Sequence, residues 1–93
     1  MSYFVYIMTN ANNTVLYTGV TNSLLRRMHE HKTGEGSGFT KRYQVTKLVF
    51  CERFDRPEDA IAAEKQIKAG SRAKKVALIE GQNPSWRDLA EDL

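Results

Sequence analysis

Tyr3-Phe4-Val5-Tyr6-Ile7-Met8 and Val15-Leu16-Tyr17-Thr18-Gly19-Val20 are matching apolar runs, separated by the turn formers Thr9-Asn10-Ala11-Asn12-Asn13-Thr14. Short runs rich in aromatic and β-branched residues, joined by such a cluster, read as a β-hairpin. A loop over Asn10 to Asn13, between strands ending at Thr9 and Thr14, makes paired positions sum to 23. That register sets Tyr6 directly opposite Tyr17, where cross-strand side chains interact most strongly. A slip of one residue would turn every side chain to the other face, so the pairing is a sharp expectation. Two facing phenols beside Gly19 are either an aromatic core pair or the floor of a site.

Working outward, Thr21-Asn22-Ser23 offers N-cap residues for a first helix, with Leu24, Leu25 and Met28 at helical spacing and Gly34 as its stop. Residues 33–44 read as a glycine-rich loop carrying Phe39, Lys41, Arg42 and Tyr43. Lys47 to Phe54 reads as a third strand, buried on both faces near its middle. Asp55, with Pro57 behind it, begins a second helix that ends at Gly70. Ser71 caps a third helix reaching about Glu80 and stopping at Gly81, and a last short helix runs through Trp86 and Leu89 after the Asn83-Pro84 turn. The order ββαβαα plus a short C-terminal helix predicts one α+β domain over residues 1–93, a small three-stranded sheet flanked by helices.

Ninety-three residues lie near the lower end of what holds a core unaided. The 41% apolar and 27% charged content is that of an ordinary globular protein, which excludes a disordered chain. The longest apolar run is six residues, so no membrane span is expected, and no basic-then-apolar leader precedes it. Cys51 has no partner for a disulfide within the chain and sits in an apolar run, which suggests a small buried residue in a reducing, cytoplasmic setting. One Cys and two His make no zinc set. Net charge is +3, yet Lys65, Lys68, Arg72, Lys74 and Lys75 form a positive run with no acid between them. Such a cluster suits a phosphate-bearing partner or is a solvated helix face.

Certain polar residues fall where a core edge is expected. On a wheel of about 100° per residue, Leu24, Leu25 and Met28 define the buried stripe of the first helix, and Arg27 and His31 stack on one border of it. A guanidinium there snorkels, pairs with a carboxylate, or clamps a phosphate with its planar fork. In the second helix Ala60, Ile61, Ile67 and the stem of Lys68 make the apolar face, with Glu64 near its middle. A carboxylate in that position must be paired, protonated or metal-bound, because a lone buried charge costs several kcal/mol. Its alternatives are an ion pair with Arg27 or Lys68 and a metal ligand at the rim of a cleft.

This ordered set resembles the GIY-YIG nuclease superfamily, and is most similar to its small stand-alone bacterial members. Phe4-Val5-Tyr6 stands at the first motif and Tyr17-Thr18-Gly19 at the second. Arg27 follows that glycine by eight residues, His31 by a further four, and Glu64 lies in the helix that carries the family's acidic residue. The resemblance spans about Tyr3 to Gly81. Phe4 replaces the first glycine, and Val20 stands where the excinuclease branch has a lysine, which leaves His31 as the candidate proton acceptor. Asn83 matches either the asparagine that follows the glutamate helix in the family or a backbone cap in the Asn83-Pro84 turn.

The resemblance implies an endonuclease that hydrolyses DNA phosphodiester bonds with one Mg²⁺ or Mn²⁺, in a repair or recombination setting, with RNA as an alternative partner. In that reading Glu64 holds the metal, Arg27 grips the phosphate, and Tyr6 or Tyr17 orients or deprotonates water. A free phenol with a pKa of about 10 is a poor base at neutral pH, so a pair beside positive charge suits the task better than one alone. Gly19 lets strand backbone and substrate approach closely, or has a purely structural use. Phe39, Lys41, Arg42 and Tyr43 mix charge with stacking surfaces, and Lys68, Arg72, Lys74 and Lys75 could track phosphates, giving salt-dependent and sequence-indifferent contacts. Nothing in the chain reads bases, so specificity would come from a protein partner. The rival readings are a partner-dependent or non-catalytic nucleic-acid-binding module of the same fold, and a structural domain with a buried ion pair.

Overall fold

The computed structural model describes residues 1–35 and 38–93. Strands β1 (Tyr3–Thr9), β2 (Leu16–Thr21) and β3 (Lys47–Phe54) form one sheet in the order β2-β1-β3, antiparallel throughout. Helices α1 (Leu24–Lys32), α2 (Gly38–Arg42), α3 (Pro57–Ala69) and α4 (Arg72–Gln82) and a 3₁₀ turn at Leu89–Asp92 complete an α+β architecture. Alternation along β1 sends Tyr6 and Met8 to one face of the sheet, where they pack with Leu24, Met28, Val45 and Leu48. Ile7 points to the other face and packs with Val49, Phe50 and Ile79. A bulge opposite Ile7 and Met8 inserts Val49 as the extra residue, so Val49 and Phe50 join one face while Leu48 serves the other. The third strand is thus buried on both sides in its middle, as its composition predicts.

The hairpin register differs from the expected one by two residues. Tyr6 pairs with Gly19, and Tyr17 pairs with Met8. The connection is six residues long, because Asn10 draws Thr14 and Val15 out of the strand. Its Oδ1 accepts from the backbone N–H groups of Thr14 (2.8 Å) and Val15 (3.1 Å), while its Nδ2 donates to Thr14 Oγ1 at 2.7 Å. Asn13 adopts the left-handed region, with φ of 57°, to close the turn. An even slip keeps both tyrosines on one face as diagonal neighbours instead of facing partners.

Other boundaries also move. Leu25 is 68% exposed, so α1 buries Leu24, Met28 and His31 only. Ile61 is exposed as well. The stretch 33–44 is not all loop, since Gly38–Arg42 is helical; residues 36 and 37 of that stretch lie outside the described residues. Arg56, not Asp55, is the N-cap of α3, because Asp55 is held by Arg53 at 2.9 Å while Pro57 pre-sets the first turn. Ser71 caps α4 as expected, accepting from Lys74 N–H, but the helix continues through Gly81 to Gln82. Trp86 has φ of 57° and stands outside any helix. Cys51 is half-buried.

Among the described residues no strand lies beside the outer edge of β3, and side chains from the C-terminal segment satisfy its backbone. Gln82 exchanges two hydrogen bonds with Cys51, accepting from its N–H at 3.0 Å and donating to its carbonyl at 2.8 Å. Asn83 Nδ2 donates to Val49 O, and Asp88 Oδ1 accepts from Leu48 N–H. Covering an edge in this way blocks pairing with another chain.

Candidate functional site

The site begins with Tyr6, which at 1% exposure is a fully buried phenol. Its ring leans across the sheet over Gly19, its direct partner on β2. A Cβ added at Gly19 would lie 2.5 Å from Tyr6 Cζ and nearer still to Oη. The glycine of the second motif is therefore room for the tyrosine of the first, and only a residue without a side chain allows both.

Tyr17 and His31 close around that ring. Tyr6 and Tyr17 have centroids 6.4 Å apart, and His31 meets both edge-on at 6.1 Å and 5.8 Å. His31 is 5% exposed, and its Nε2 lies 3.5 Å from Tyr6 Oη. With Tyr6 as donor, the imidazole proton resides on Nδ1, a buried atom with no hydrogen-bond partner among the described residues. Leaving a buried hydroxyl unpaired costs about 1–3 kcal/mol, so this contact decides how the Tyr6 phenol is held.

Arg27 is half-exposed on the border of α1. Its Nε is 3.4 Å from Glu30 Oε1, an ion pair one turn along the same helix, and Nε is buried without a hydrogen-bond partner among the described residues. Glu64, on α3, keeps a side chain 17% exposed and pairs with Lys68 Nζ at 3.3 Å. Of the two ion-pair partners weighed for Glu64, the observed one is Lys68.

The electrostatics tie these groups to one centre. Burial pushes the Tyr6 phenol well above its ordinary value, the charges of Tyr17, Glu64 and Glu30 push it further, and Arg27 pulls it down. Burial holds His31 below its ordinary 6.5, Arg27 lowers it further, and Glu30 partly offsets both. These causes favour the uncharged imidazole at neutral pH, the form whose Nε2 can accept the Tyr6 hydroxyl's hydrogen bond. The structure sets Tyr6, Tyr17 and His31 in ring contact, with Arg27 and Glu64 near enough to bias the Tyr6 hydroxyl.

Not every expected residue gathers there. Asn83 is 4% exposed and spent on backbone: it donates to Val49 O and Arg87 O and accepts from Arg87 N–H. Arg72 donates to the carbonyls of Asn13 (3.0 Å) and Thr14 (3.3 Å), tying the start of α4 to the hairpin loop. Lys74 lines a separate hollow of about 530 Å³ with Glu52, Gln66 and Leu78, and Lys75 is half-buried. Lys68 is half-exposed beside Glu64. On the near side, Phe39 stacks on Tyr17 (6.0 Å, 29°), Tyr43 meets Phe39 at 4.8 Å, and Arg42 lies over Tyr43 at 5.6 Å. Lys41 lines a cleft of about 380 Å³ that also reaches His31 and Tyr43. Glu30 joins the group through its ion pair with Arg27, and the i, i+3 spacing of the two residues is the signal that could have found it.

The described residues include no cluster of three His, Cys, Asp or Glu that would cage a metal alone. Glu64 nonetheless offers hard carboxylate oxygens, one of them paired with the half-exposed Lys68. Mg²⁺ is commonly held by one or two carboxylates with waters and substrate phosphates, and that donor set fits.

The GIY-YIG catalytic domain matches residues 2–77, a span that includes both tyrosines, Arg27, His31 and Glu64. The chain belongs to this family of nuclease-type catalytic domains. Its relatives include small proteins of about the same length. A UPF0213 protein of Natronomonas pharaonis is 43% identical over 77 residues, covering 83% of this chain and 89% of the relative. One from Syntrophus aciditrophicus is 42% identical over 82 residues, covering 87% and 92%. The solution NMR structure of a UPF0213 protein from Bacillus halodurans matches with a TM-score of 0.60 and 30% identity, over 95% of this chain and 93% of that one.

Proposed function

We propose that this protein is an endonuclease that hydrolyses DNA phosphodiester bonds with one Mg²⁺ or Mn²⁺. The observation that carries the reading is the packing of Tyr6, Tyr17 and His31 around Gly19, within the electrostatic reach of Arg27 and Glu64. Glu64 would hold the cation. When bound, the cation supplies stabilisation for charge developing on the phosphate and the departing 3′-oxygen. Arg27 presents its guanidinium to the non-bridging oxygens, where a planar fork matches a phosphate best. Tyr17, the half-buried phenol of the pair, is the one with access to solvent and orients the attacking water. Water adds to phosphorus and releases a proton to solvent, and the bond from phosphorus to the 3′-oxygen breaks as that oxygen takes up a proton from solvent. Tyr6 lies behind Tyr17 and, fixed by Gly19 and by the neutral His31, is a positioning residue.

A second reading, a binding module of the same fold without turnover of its own, is favoured by the Glu64 carboxylate, which pairs with Lys68 at 3.3 Å, a contact that a metal would have to displace or share. Nicking of supercoiled plasmid separates the two. The nuclease reading expects nicking with Mg²⁺ or Mn²⁺, none in EDTA, and loss in Glu64→Ala of at least about 100-fold, the scale of removing one transition-state stabiliser. DNA binding with no nicking under any divalent cation would favour the module.

A further inference from the structure

Tyr17, Phe39 and Tyr43 form a continuous aromatic ladder leading from the buried Tyr6 and His31 to the surface. Its outer members are 45% and 43% exposed, an unusual state for two adjacent large rings. Phe39 lies in α2 and Tyr43 just past its end, where its N–H donates to the Phe39 carbonyl, so the two rings four residues apart meet and still leave a face to solvent. Arg42 lies 5.6 Å over the Tyr43 ring, adding a delocalised cation to the stack. Beside Tyr43 the surface opens into the cleft of about 380 Å³, where Lys41 supplies positive charge and Asn12 and Gln44 supply amides. The inner wall of that cleft includes His31, whose buried Nδ1 has no hydrogen-bond partner among the described residues.

From this juxtaposition we infer that the ladder and its cleft receive unpaired nucleobases, so that the protein acts on single-stranded or locally unpaired DNA in preference to intact duplex. A base inside a duplex already has both faces stacked and cannot use an exposed ring, whereas an unpaired base can stack on any aromatic face. Lysine and arginine at the same place match the phosphate next to that base, and the ladder ends on Tyr17, the phenol assigned to the attacking water. The inference rests on the nuclease reading for its meaning, but base stacking needs neither metal nor cleavage.

Fluorescence anisotropy in EDTA tests it, using one labelled DNA oligonucleotide alone and annealed to its complement. The intact protein binds the single strand at least about fivefold more tightly than the duplex. The double variant Phe39→Ala with Tyr43→Ala loses roughly 5- to 150-fold on the single strand, the range for one stacked base, and less than about threefold on the duplex. Phe39→Tyr with Tyr43→Phe, which keeps both ring faces, retains the preference, and circular dichroism checks that every variant is folded. Equal affinity for the two forms, no binding to either, or an alanine variant that keeps the preference would overturn the inference. Nicking with divalent metal is a separate readout, so failure of the nuclease reading would leave the stacking result standing, and the reverse.

Discussion

Replacing Gly19 by alanine tests the packing that builds the site. The new Cβ would sit 2.5 Å from Tyr6 Cζ and 3.0 Å from Cε1, well inside any real carbon contact. The ring has nowhere to retreat, because Tyr6 is 1% exposed with His31 and Tyr17 against it. Overpacking of this kind costs about 1–3 kcal/mol. Contacts this short belong at the upper end of that range, about 2–3 kcal/mol; alanine's intrinsic advantage over glycine in a strand, roughly 0.5–1 kcal/mol, offsets part of it, so a net loss of about 1–2.5 kcal/mol is expected. For a domain of this size that lowers Tm by about 4–20 °C. Urea denaturation measures the loss, and a double-mutant cycle assigns it. In a Tyr6→Leu background the clash is absent, so Gly19→Ala there becomes neutral or stabilising, with a coupling energy of at least about 1 kcal/mol. If Gly19→Ala changed stability by less than about 0.5 kcal/mol in the intact protein, or by the same amount in both backgrounds, steric clearance for Tyr6 would not be the reason for glycine at this position.

The perturbed groups give two pH signatures. One of the four tyrosines titrates well above the ordinary phenol range in an alkaline absorbance titration, and Tyr6→Phe removes it. Since the folded-state pKa of Tyr6 is raised, its contribution to stability is complete below about pH 10 and is lost as pH rises beyond it. An unaltered high-pH transition in Tyr6→Phe would count against that assignment. His31 has the opposite sign: its folded-state pKa lies below 6.5, so the unfolded chain binds the extra proton and stability falls as pH drops below about 6.5. His31→Gln flattens that acid limb in urea melts from pH 7.5 to 5; an unchanged slope would mean the imidazole is not buried in its neutral form.

The sequence displayed the strands and most helix limits because hydrophobic alternation and caps act locally. The bounds of β3, the caps at Ser23 and Ser71 and the stop at Gly70 follow from residues within a few positions of each boundary. The hairpin register was not legible, because it depended on which strand residues the Asn10 amide would capture. Leu25 misled because its spacing puts it on the apolar stripe, whereas that side of α1 faces solvent and leaves Leu25 68% exposed. For the site, spacing along α1 put Arg27 and His31 on one border, but not the difference between a half-exposed guanidinium and a 5% exposed imidazole. That difference arises from packing across the sheet against Tyr6. Asn83 had two readings that local sequence could not separate, and three hydrogen bonds to backbone favour the cap.

Single-turnover nicking at saturating protein with Mg²⁺ or Mn²⁺ tests most directly whether the phenol and guanidinium act on one phosphate. Tyr17→Phe and Arg27→Ala, both folded and both still binding DNA, are each expected to slow strand cleavage by about 100-fold or more. Cleavage by either variant within about threefold of the intact protein would contradict the account.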